Sequence, residues 1–431
     1  MTTIRLGLLG CGTVGGALAR LLAEQGETIE ERTGVELVIS RIAVRDLAKN
    51  RDVDVDPAVF TDDAASVAIA DDVDIVVELI GGVDLPHALV ASALAAGKPV
   101  VTGNKALLAS HGAELYAAAD AAGVDLLFEA AVAGGIPLMR PLRESLLGEP
   151  VSRVMGIING TTNYILTRMT EAGASYEDAL AEAQDLGYAE ADPTADVEGF
   201  DAGAKAAIIA SIVYGRNVRS DDVHHEGISS LTADDIEVAA RLGYAVKAIA
   251  VVDADIVDGE PAIAVRVHPA LVPHGHPLAT VRDSFNAVFI EGDAVGDLML
   301  YGRGAGGAPT ASAVLGDIID AAVNRVDGTA ARVGSLPPAT MRPLDDLSSA
   351  FYLRVAVADE PGVLAQVADV FGRHGVSIRS MEQHGLGDGA RLIFITHVSR
   401  EADVQATLAE LRDLEPVRGI HSVIRVVGSG A

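Results

Sequence analysis

Short apolar runs alternate with helical stretches through the first third of the chain. The run from Ile4 to Leu9 is followed by a glycine-rich loop and by a helical stretch at 17–23. Further runs lie at 37–44, 74–80 and 124–128, and the one at 74–80 is a nearly continuous apolar strand of the kind buried in a parallel sheet. The pattern predicts an N-terminal α/β domain with a doubly wound sheet.

The pattern changes near residue 137, where strands and helices stop alternating regularly. A strand is predicted at 154–158, and the helix that begins near Asp201 is strongly apolar. Segments with period-two alternation then predict a mainly antiparallel sheet that carries this helix: 246–252, 263–267 and 287–291. The middle of the chain is therefore predicted to be an α+β domain.

The C-terminal part is predicted to be a separate βαββαβ module. Residues 326–348 contain Gly334 among three prolines and indicate a linker. Strands and helices then follow in a regular order: a strand at 351–357, a helix ending near Gly375, strands at 377–382 and 391–398, a helix at 401–411 and a strand at 423–427. Because the catalytic candidates lie upstream, a chain ending near Leu347 is expected to fold.

Composition narrows the class of function. The 431-residue chain is long enough for two or three domains, and its formal net charge of −29 disfavours binding to a phosphate backbone. Cys11 is the only cysteine, which excludes an intrachain disulfide and fits a reducing, cytoplasmic setting. No apolar run approaches the ~18 residues of a membrane helix. A soluble enzyme or binding protein fits best.

The loop between the first strand and the first helix has the glycine pattern GCGTVG. Its glycines allow a tight turn and let a pyrophosphate approach the free N–H groups at the helix N-terminus. A purely structural turn is the alternative. The residues that we expect to contact a dinucleotide here are Gly10, Gly12, Thr13, Val14 and Gly15.

The end of the second strand selects between the two nicotinamide cofactors. Asp46 can hold a ribose 2′-hydroxyl, and Arg45 can hold a 2′-phosphate. Lys49 and Arg51 add positive charge close by, so NADP(H) is favoured and NAD(H) stays possible. In the alternative interpretation, Arg45 is a solvated loop charge.

Two further positions follow predicted strands of this domain. Lys105 stands at the carboxyl end of the strand KPVVTGNK, where ligands bind in such sheets, although a solvated lysine at a helix start would give the same pattern. Glu129 begins a loop in which an acid and successive carbonyl oxygens can coordinate a hard cation.

The segment from Leu186 to Lys205 concentrates carboxylates around a proline turn and then enters a helix. Helical spacing places Lys205 on one stripe with Ile208 and Ile209, so this lysine is predicted to face inward beside Asp201. The alternative is an ordinary surface pair at i and i+4.

This segment resembles the signature of homoserine dehydrogenases without a gap or mismatch. The NGTTNYIL run that starts at Asn159 is also similar to that family, and the βαββαβ module resembles an ACT domain, a small amino-acid sensor. The signature positions are Ala183, Gly187, Tyr188, Ala189, Asp192, Pro193, Asp196, Val197, Gly199, Asp201 and Lys205.

The resemblance implies reversible hydride transfer between nicotinamide C4 and the aldehyde of L-aspartate 4-semialdehyde, which gives L-homoserine. Lys205 would donate the proton to the developing alkoxide, and Lys105 would lie between nicotinamide and substrate and help to stabilise that charge. Glu190 would bind the substrate ammonium, with Asp201 and Asp196 orienting it. Ala195 departs from some relatives, which have a second aspartate there.

The resemblance implies three more groups of contacts. Thr161 would contact the substrate, and Gly187 and Gly302 would lie near the cofactor. A sodium ion would be held by Glu129 with backbone oxygens. These oxygens belong to Val132, Gly134 and Ile136.

The implied organisation is a Rossmann domain at 1–136 plus 302–325, a catalytic and dimerisation domain at 137–301, a linker at 326–348 and an ACT domain at 349–429. A homodimer or homotetramer inhibited by threonine would follow.

Two rival functions are open to the sequence. A phosphorylating semialdehyde dehydrogenase needs a cysteine nucleophile, but the only cysteine, Cys11, lies inside the glycine loop, which argues against this function. A non-catalytic sensor of nucleotide and amino acid stays open as the rival.

Overall fold

The computed structural model describes residues 2–257, 259–385 and 389–428. Residues 1 and 429, the outer bounds of the predicted first and last domains, lie outside the described residues. The chain divides into two compact units. The first unit contains the residues up to Gly160 together with Asp201–Val223 and Phe285–Ala339, and the second contains Thr161–Phe200, His224–Ser284 and the residues from Thr340 onward.

Strands and helices follow one another in the order that the sequence predicts. The elements up to residue 214 are β1 (Thr2–Leu9), α1 (Thr13–Thr33), β2 (Val35–Ala43), β3 (Phe60–Thr61), α2 (Ala64–Ile69), β4 (Ile75–Glu78), α3 (Asp84–Ala95), β5 (Val100–Thr102), α4 (Lys105–Ala122), β6 (Leu126–Leu127), β7 (Val151–Ile157), α5 (Gly160–Ala172), α6 (Tyr176–Asp185), α7 (Thr194–Val197) and α8 (Phe200–Tyr214). The later elements are β8 (His224–His225), α9 (Ala233–Arg241), β9 (Tyr244–Val257), β10 (Glu260–Pro273), β11 (Phe285–Gly292), β12 (Gly296–Arg303), α10 (Gly307–Asp327), β13 (Thr340–Met341), β14 (Ser348–Ala358), α11 (Val363–Arg373), β15 (Ile378–Gly385), β16 (Gly389–Thr396), β17 (Ser399–Arg400), α12 (Glu401–Asp413) and β18 (Val417–Val426).

The first unit is built on a parallel sheet with the strand order β3-β2-β1-β4-β5-β6. Helices α1 and α10 pack together over one face, where Leu18 and Ile318 are fully buried. The strand order reverses between β1 and β4, and ligands bind at such a switch point outside the carboxyl ends of the strands. The predicted doubly wound domain is confirmed. The same unit also contains the antiparallel strands β7, β11 and β12.

The second unit contains the predicted βαββαβ module, with the short strand β17 added before α12. Its four longer strands are antiparallel in the order β18-β14-β16-β15. This sheet does not end at β18, because β18 pairs in parallel with β10, with Ala270 opposite Arg425 and Leu271 opposite Val426. β10 in turn pairs with β9 along its whole length. The predicted fold class is confirmed.

The module shares its hydrophobic core with the rest of the second unit. Tyr352, Ile393 and Ile424 on its strands lie in one buried cluster with Tyr164 and Leu166 of α5. The opposite face of the same strands packs on α11 and α12. This shared core argues against the expectation that a chain ending near Leu347 folds, since the cut would expose one side of a continuous core.

Among the described residues, no helix combines the length and the apolar character that crossing a bilayer requires.

Candidate active site

The glycine loop between β1 and α1 has the backbone that its sequence predicts. Gly10 has a φ of 105°, and a Cβ there would lie 2.8 Å from the carbonyl oxygen of Leu79. A Cβ at Gly15 would lie 2.4 Å from the carbonyl oxygen of Gly10, whereas none of the described atoms lies within 4 Å of one built on Gly12. The loop is thus closed by Gly10 and Gly15 and open at Gly12, where a phosphate can approach the start of α1.

A cavity of about 310 Å³ adjoins this loop and the end of β2, and the basic residues predicted there line it. Arg45 is exposed, and its side chain makes no hydrogen bond or ion pair within the described part of the chain. Asp46 accepts the backbone N–H of Ala48 at 2.9 Å. Arg51 donates to the carbonyl oxygens of Asp46 and Lys49 at 2.8 Å each. Arg45 and Lys49 therefore offer their charges to a ligand.

A second cavity, of about 350 Å³, lies at the carboxyl ends of β4 and β5. Its lining includes Val14, the pair Gly81 and Gly82, Lys105 and Thr310. Asn104 caps α4 by accepting the N–H of Leu107 and also donates to the carbonyl oxygen of Gly82 at 2.8 Å. This places Lys105, the first residue of α4, in the cavity beside the switch point of the sheet.

Glu78 shapes this cavity and was missed by sequence reasoning. Its buried carboxylate accepts the N–H of Ile80 at 2.8 Å and the hydroxyl of Thr102 at 2.6 Å, with a longer bond of 3.3 Å from Gly81. One carboxylate thereby holds the glycine loop after β4 against the end of β5. The available signal was an acid within an otherwise apolar strand.

Two lysines converge on one carboxylate in the first unit. Lys205 Nζ donates to Asp201 Oδ2 at 2.7 Å, and Lys105 Nζ lies 2.6 Å from Asp201 Oδ1. The side chain of Lys205 is 12% exposed and that of Lys105 is 44% exposed. Lys205 therefore faces inward on α8, as its helical spacing predicts, and the pair with Asp201 is not an ordinary surface pair.

Asp201 is fixed from more than one side. Asn159 donates to Asp201 Oδ2 at 2.9 Å, and Lys205 also donates to the carbonyl oxygen of Ile158 at 2.9 Å. Burial alone would raise the pKa of Asp201, but the charges of Lys205 and Lys105 and their hydrogen bonds hold it well below its usual range. Asp201 thus stays ionised and keeps both ammonium groups in place. Sequence reasoning identified Asn159 only as the start of a run that is similar to the family and missed this contact.

Four predicted site residues lie in the second unit. Thr161 donates its hydroxyl hydrogen bond to the carbonyl oxygen of Tyr188 at 2.7 Å. Gly187 ends the turn after α6 with a φ of 75°, Glu190 is exposed, and Asp196 is half-buried on the short helix α7. These residues surround the predicted turn, and their contact with a substrate stays a prediction.

The predicted cation loop is buried and belongs to the first unit. Glu129 accepts the N–H groups of Met139 and Arg140 at 2.7 and 2.9 Å, with a third bond from Leu138. Val132, Gly134 and Ile136 are buried, and their carbonyl oxygens accept no hydrogen bond from the described residues.

Gly302 lies on β12 next to this loop, where a Cβ would come within 3.2 Å of Ile136. Buried carbonyl oxygens without a donor require another partner, so the residues present fit a bound cation.

Asp317 stands next to Glu129 and was not predicted. It accepts the backbone N–H of Glu129 at 2.8 Å and is 3% exposed. Burial and the nearby charge of Glu129 raise the pKa of Asp317 to about 7, against the lowering effect of that N–H and of Arg140. The loop acid Glu129 therefore lies beside a second acid on α10, Asp317, which binds a proton near neutral pH. No sequence pattern indicates this pairing, since the two residues are far apart along the chain.

A glycine loop opening a parallel sheet, with lysines held on a carboxylate nearby, defines a nicotinamide-dependent oxidoreductase. The chain matches the model of the homoserine dehydrogenase NAD-binding domain over residues 10–129, that of homoserine dehydrogenase over 137–319 and that of the ACT domain over 351–416. The chain belongs to the homoserine dehydrogenase family.

Individual relatives match this chain over three quarters or more of its length. The homoserine dehydrogenase of Corynebacterium glutamicum is 50% identical over 430 residues, which cover 99% of this chain and 96% of that protein. The crystal structure of the homoserine dehydrogenase from Thiobacillus denitrificans superposes with a TM-score of 0.92 at 40% identity and 99% coverage of both chains. A hyperthermophilic archaeal homoserine dehydrogenase in complex with NADPH covers 77% of this chain and is itself covered in full, with a TM-score of 0.63 at 30% identity.

These matches confirm the resemblance and the class of activity. The protein is an NAD(P)-dependent oxidoreductase that acts on a CH–OH group, with a nicotinamide-cofactor domain at its N-terminus and an ACT domain at its C-terminus. The alternative of a non-catalytic sensor is therefore excluded, because the relatives are enzymes.

Proposed function

We propose that the chain transfers hydride from C4 of NADPH to the aldehyde carbon of L-aspartate 4-semialdehyde, while Lys205 gives a proton to the aldehyde oxygen. The products are NADP⁺ and L-homoserine, and the reverse reaction returns the proton to Lys205. The observation that carries this proposal is the convergence of Lys205 and Lys105 on Asp201.

The hydrogen bonds of the Lys205 ammonium group support its role as the acid. An ammonium group has three N–H donors, and Lys205 directs one at Asp201 and one at Ile158. The third is available to a substrate oxygen. Because the other two are fixed and the side chain is largely buried, the remaining N–H is oriented before the substrate arrives.

Lys105 suits a different task. It is more exposed, it begins α4, and the cavity at the carboxyl ends of the strands includes it. We assign it the stabilisation of negative charge on the developing alkoxide beside the nicotinamide. Asp201 positions both lysines.

The roles of the second-unit residues rest on the family signature. Glu190 is proposed to bind the substrate ammonium, with Asp196 and Thr161 orienting the substrate and Gly187 contacting the cofactor. The exposure of Glu190 leaves its carboxylate accessible to a ligand. We place the reaction in the synthesis of threonine, methionine and isoleucine, in a cytoplasmic homodimer or homotetramer.

A single assay tests the reaction. Purified protein with NADPH and L-aspartate 4-semialdehyde should consume NADPH, and L-homoserine with NADP⁺ should regenerate it. Binding of both ligands without oxidation of NADPH would contradict the proposal.

NADP(H) is the proposed cofactor because of the cavity around Arg45, where Lys49 adds a second positive charge. Arg45→Ala should raise the KM for NADPH by roughly 10- to 100-fold and the KM for NADH by less than about threefold, since a charge-assisted contact to the 2′-phosphate is worth about 1.5–3 kcal/mol. Steady-state kinetics with both cofactors measure this. Arg32→Ala, which removes an exposed arginine in the last turn of α1, is the matched control. Equal losses with NADPH and NADH would show that Arg45 does not select the cofactor.

A monovalent cation, Na⁺ by preference, is proposed to bind at Glu129 with the carbonyl oxygens of Val132, Gly134 and Ile136. A bound cation would supply positive charge that stabilises this buried loop. Glu129 supplies one buried carboxylate, and oxygen ligands suit hard cations.

Replacing Na⁺ and K⁺ by tetramethylammonium should therefore lower the melting temperature of the protein by a few degrees, because the buried carbonyl oxygens lose their partner. Glu129→Gln should remove this difference between salts. Glu149→Gln is the control, since Glu149 also accepts backbone N–H groups, from Ala294 and Val295, but lies outside the cation loop. If the wild-type protein melts at the same temperature in both salts, the proposal that the loop binds a cation is wrong.

Threonine is the proposed effector of the ACT domain. A cavity of about 370 Å³ lies where β14 meets α11, and its lining includes Asp359, Glu360 and Gly362. The start of α11 offers free N–H groups to a carboxylate, and the two acids offer charge to an ammonium. The cavity thus has complementary groups for an amino acid.

Asp359→Ala should weaken inhibition by threonine at least tenfold, because it removes a carboxylate that pairs with the effector ammonium. Inhibition curves for both proteins measure the shift. Asp369→Ala is the matched control, since Asp369 lies on α11 and pairs with Arg373 outside the cavity. Wild-type enzyme that ignores millimolar threonine would exclude this effector without affecting the proposed reaction.

A further inference from the structure

A cluster with metal-ligand chemistry lies in the first unit, and none of its three residues lines either of the two cavities there. His87 lies on α3, and His111 and Glu114 lie three residues apart on α4, which packs against α3. One ligand atom from each residue can be chosen so that all three lie within 4.8 Å of one another. His87 Nε2 is 3.3 Å from Glu114 Oε1, and His111 Nδ1 is 3.8 Å from Glu114 Oε2.

The contacts within the cluster do not satisfy its groups. His87 Nε2 is shielded from solvent and makes no hydrogen bond within the described part of the chain, although it lies close to the Glu114 carboxylate. The two imidazole rings lie 4.3 Å apart between centroids, at an interplanar angle of 31°. A buried nitrogen without a partner is unfavourable, so the cluster lacks one bonding partner at His87 Nε2.

The spacing suits a tetrahedral metal ion. Zn²⁺ binds histidine nitrogen and carboxylate oxygen at about 2.0–2.2 Å, so neighbouring ligand atoms of a tetrahedron lie about 3.3–3.5 Å apart. His87 Nε2 lies at this spacing from Glu114 Oε1, at 3.3 Å, whereas the 3.8 Å distance of His111 Nδ1 is to the other oxygen, Oε2. With one ligand atom from each residue, all three lie within 4.8 Å of one another, so a small adjustment is needed. A rotation of the exposed Glu114 side chain adjusts these distances, since it is 64% exposed.

We propose that His87, His111 and Glu114 bind one divalent first-row transition metal ion, with Zn²⁺ preferred and water in the fourth position. A site with two imidazoles and one carboxylate favours these transition metals over Na⁺, K⁺ and Mg²⁺, which prefer oxygen ligands. This site is distinct from the proposed cation loop, whose ligands are all oxygen atoms.

The position gives the metal a structural role. α3 follows the loop with Gly82, and α4 begins at Lys105. The bond from Asn104 to the Gly82 carbonyl oxygen ties the starts of these helices together. A metal ion between His87 and His111 would join the two helices further along and would hold the helix that carries Lys105.

The test uses the full chain after treatment with a chelator and gel filtration. Titration with ZnCl₂ in calorimetry should show one saturable site per chain, and saturating Zn²⁺ should raise the melting temperature by about 5 °C. Co²⁺ should give the visible absorption of a tetrahedral complex. His87→Ala and Glu114→Gln should each lose the saturable site and the rise in melting temperature.

His374→Ala is the matched control, because His374 also bonds to a glutamate, Glu410, at 2.7 Å but belongs to no such triad among the described residues. It should bind Zn²⁺ as the wild type does. His111→Gln provides a second ligand variant if one of the others fails to fold, as judged by its melting curve in chelator. Saturable binding that survives in folded His87 and His111 variants, or binding without saturation in the wild type, would overturn the proposal.

Discussion

Lys205→Met should lower kcat by about 10³-fold or more, while the dissociation constant for NADPH and the melting temperature stay close to the wild type. General acid catalysis contributes about 10²- to 10⁴-fold, and the variant also loses a charge that stabilises the alkoxide. Methionine retains most of the side-chain length on α8. Asp201 keeps the contact with Lys105 at 2.6 Å and the bond from Asn159 at 2.9 Å, so its charge stays paired.

The control for this variant is Lys98→Met. Lys98 is also a largely buried lysine of the first unit, and it donates to the carbonyl oxygens of Ala70 and Val73. Lys98→Met leaves two carbonyl oxygens without their lysine donor, whereas Lys205→Met leaves one, so the control should lower the melting temperature more, yet leave kcat within about threefold. Kinetics, cofactor titration and thermal melts on both variants separate chemistry from stability. Activity of Lys205→Met within tenfold of wild type would exclude Lys205 as the acid.

Removal of the ACT domain at Leu347 should prevent the second unit from folding. The cut deletes Tyr352, Ile393, Ile395, Ile424 and Val426 from the shared core. At roughly 2 kcal/mol for each large buried apolar side chain, about 10 kcal/mol of burial is lost, which is comparable with the net stability of a whole domain.

The cut also breaks buried ion pairs. Arg425 on β18 pairs with Glu401 and, at 2.7 Å, with Glu226 beside β8. The Glu226 carboxyl has its pKa lowered to about 2 because hydrogen bonds from His224 and Arg425 and the Arg425 charge outweigh the effect of burial. The full chain therefore keeps the pair of Arg425 and Glu226 ionised well below neutral pH. The shortened chain lacks Arg425, so Glu226 loses this partner.

Soluble yield, thermal melts and turnover of the shortened protein measure the effect, with a chain ending at Gly428 as the control that keeps β18. The shortened protein should be recovered mainly as aggregate and without activity. A shortened protein that melts cooperatively near the wild-type temperature and turns over would show that the shared core is dispensable.

The elements were predictable where a local pattern determines them. The glycine loop, the parallel strands of the first unit and the order of the ACT elements all depend on short-range spacing. Lys205 on the inner face of α8 follows from helical periodicity in the same way.

Contacts between distant parts of the chain were not predictable. The pairing of β18 with β10, the bond between Asp317 and the backbone of Glu129, and the bond from Asn159 to Asp201 each join residues that no local pattern relates. The glycines and prolines after residue 326 predicted a linker and hence a separable domain, because composition does not report that strands on both sides of it share one core.

The order of synthesis gives the shared core one more consequence. The first unit needs α10 for its core, and the second unit needs β18, so neither is complete when its own first strands and helices leave the ribosome. Roughly 200 residues separate the last strand of the parallel sheet from the end of α10, which at about 5–20 residues per second is a delay of about 10–40 s. During that time the nascent chain presents unfinished apolar faces to the cell. Chaperone binding to ribosome-held chains should therefore persist until the last strand has emerged.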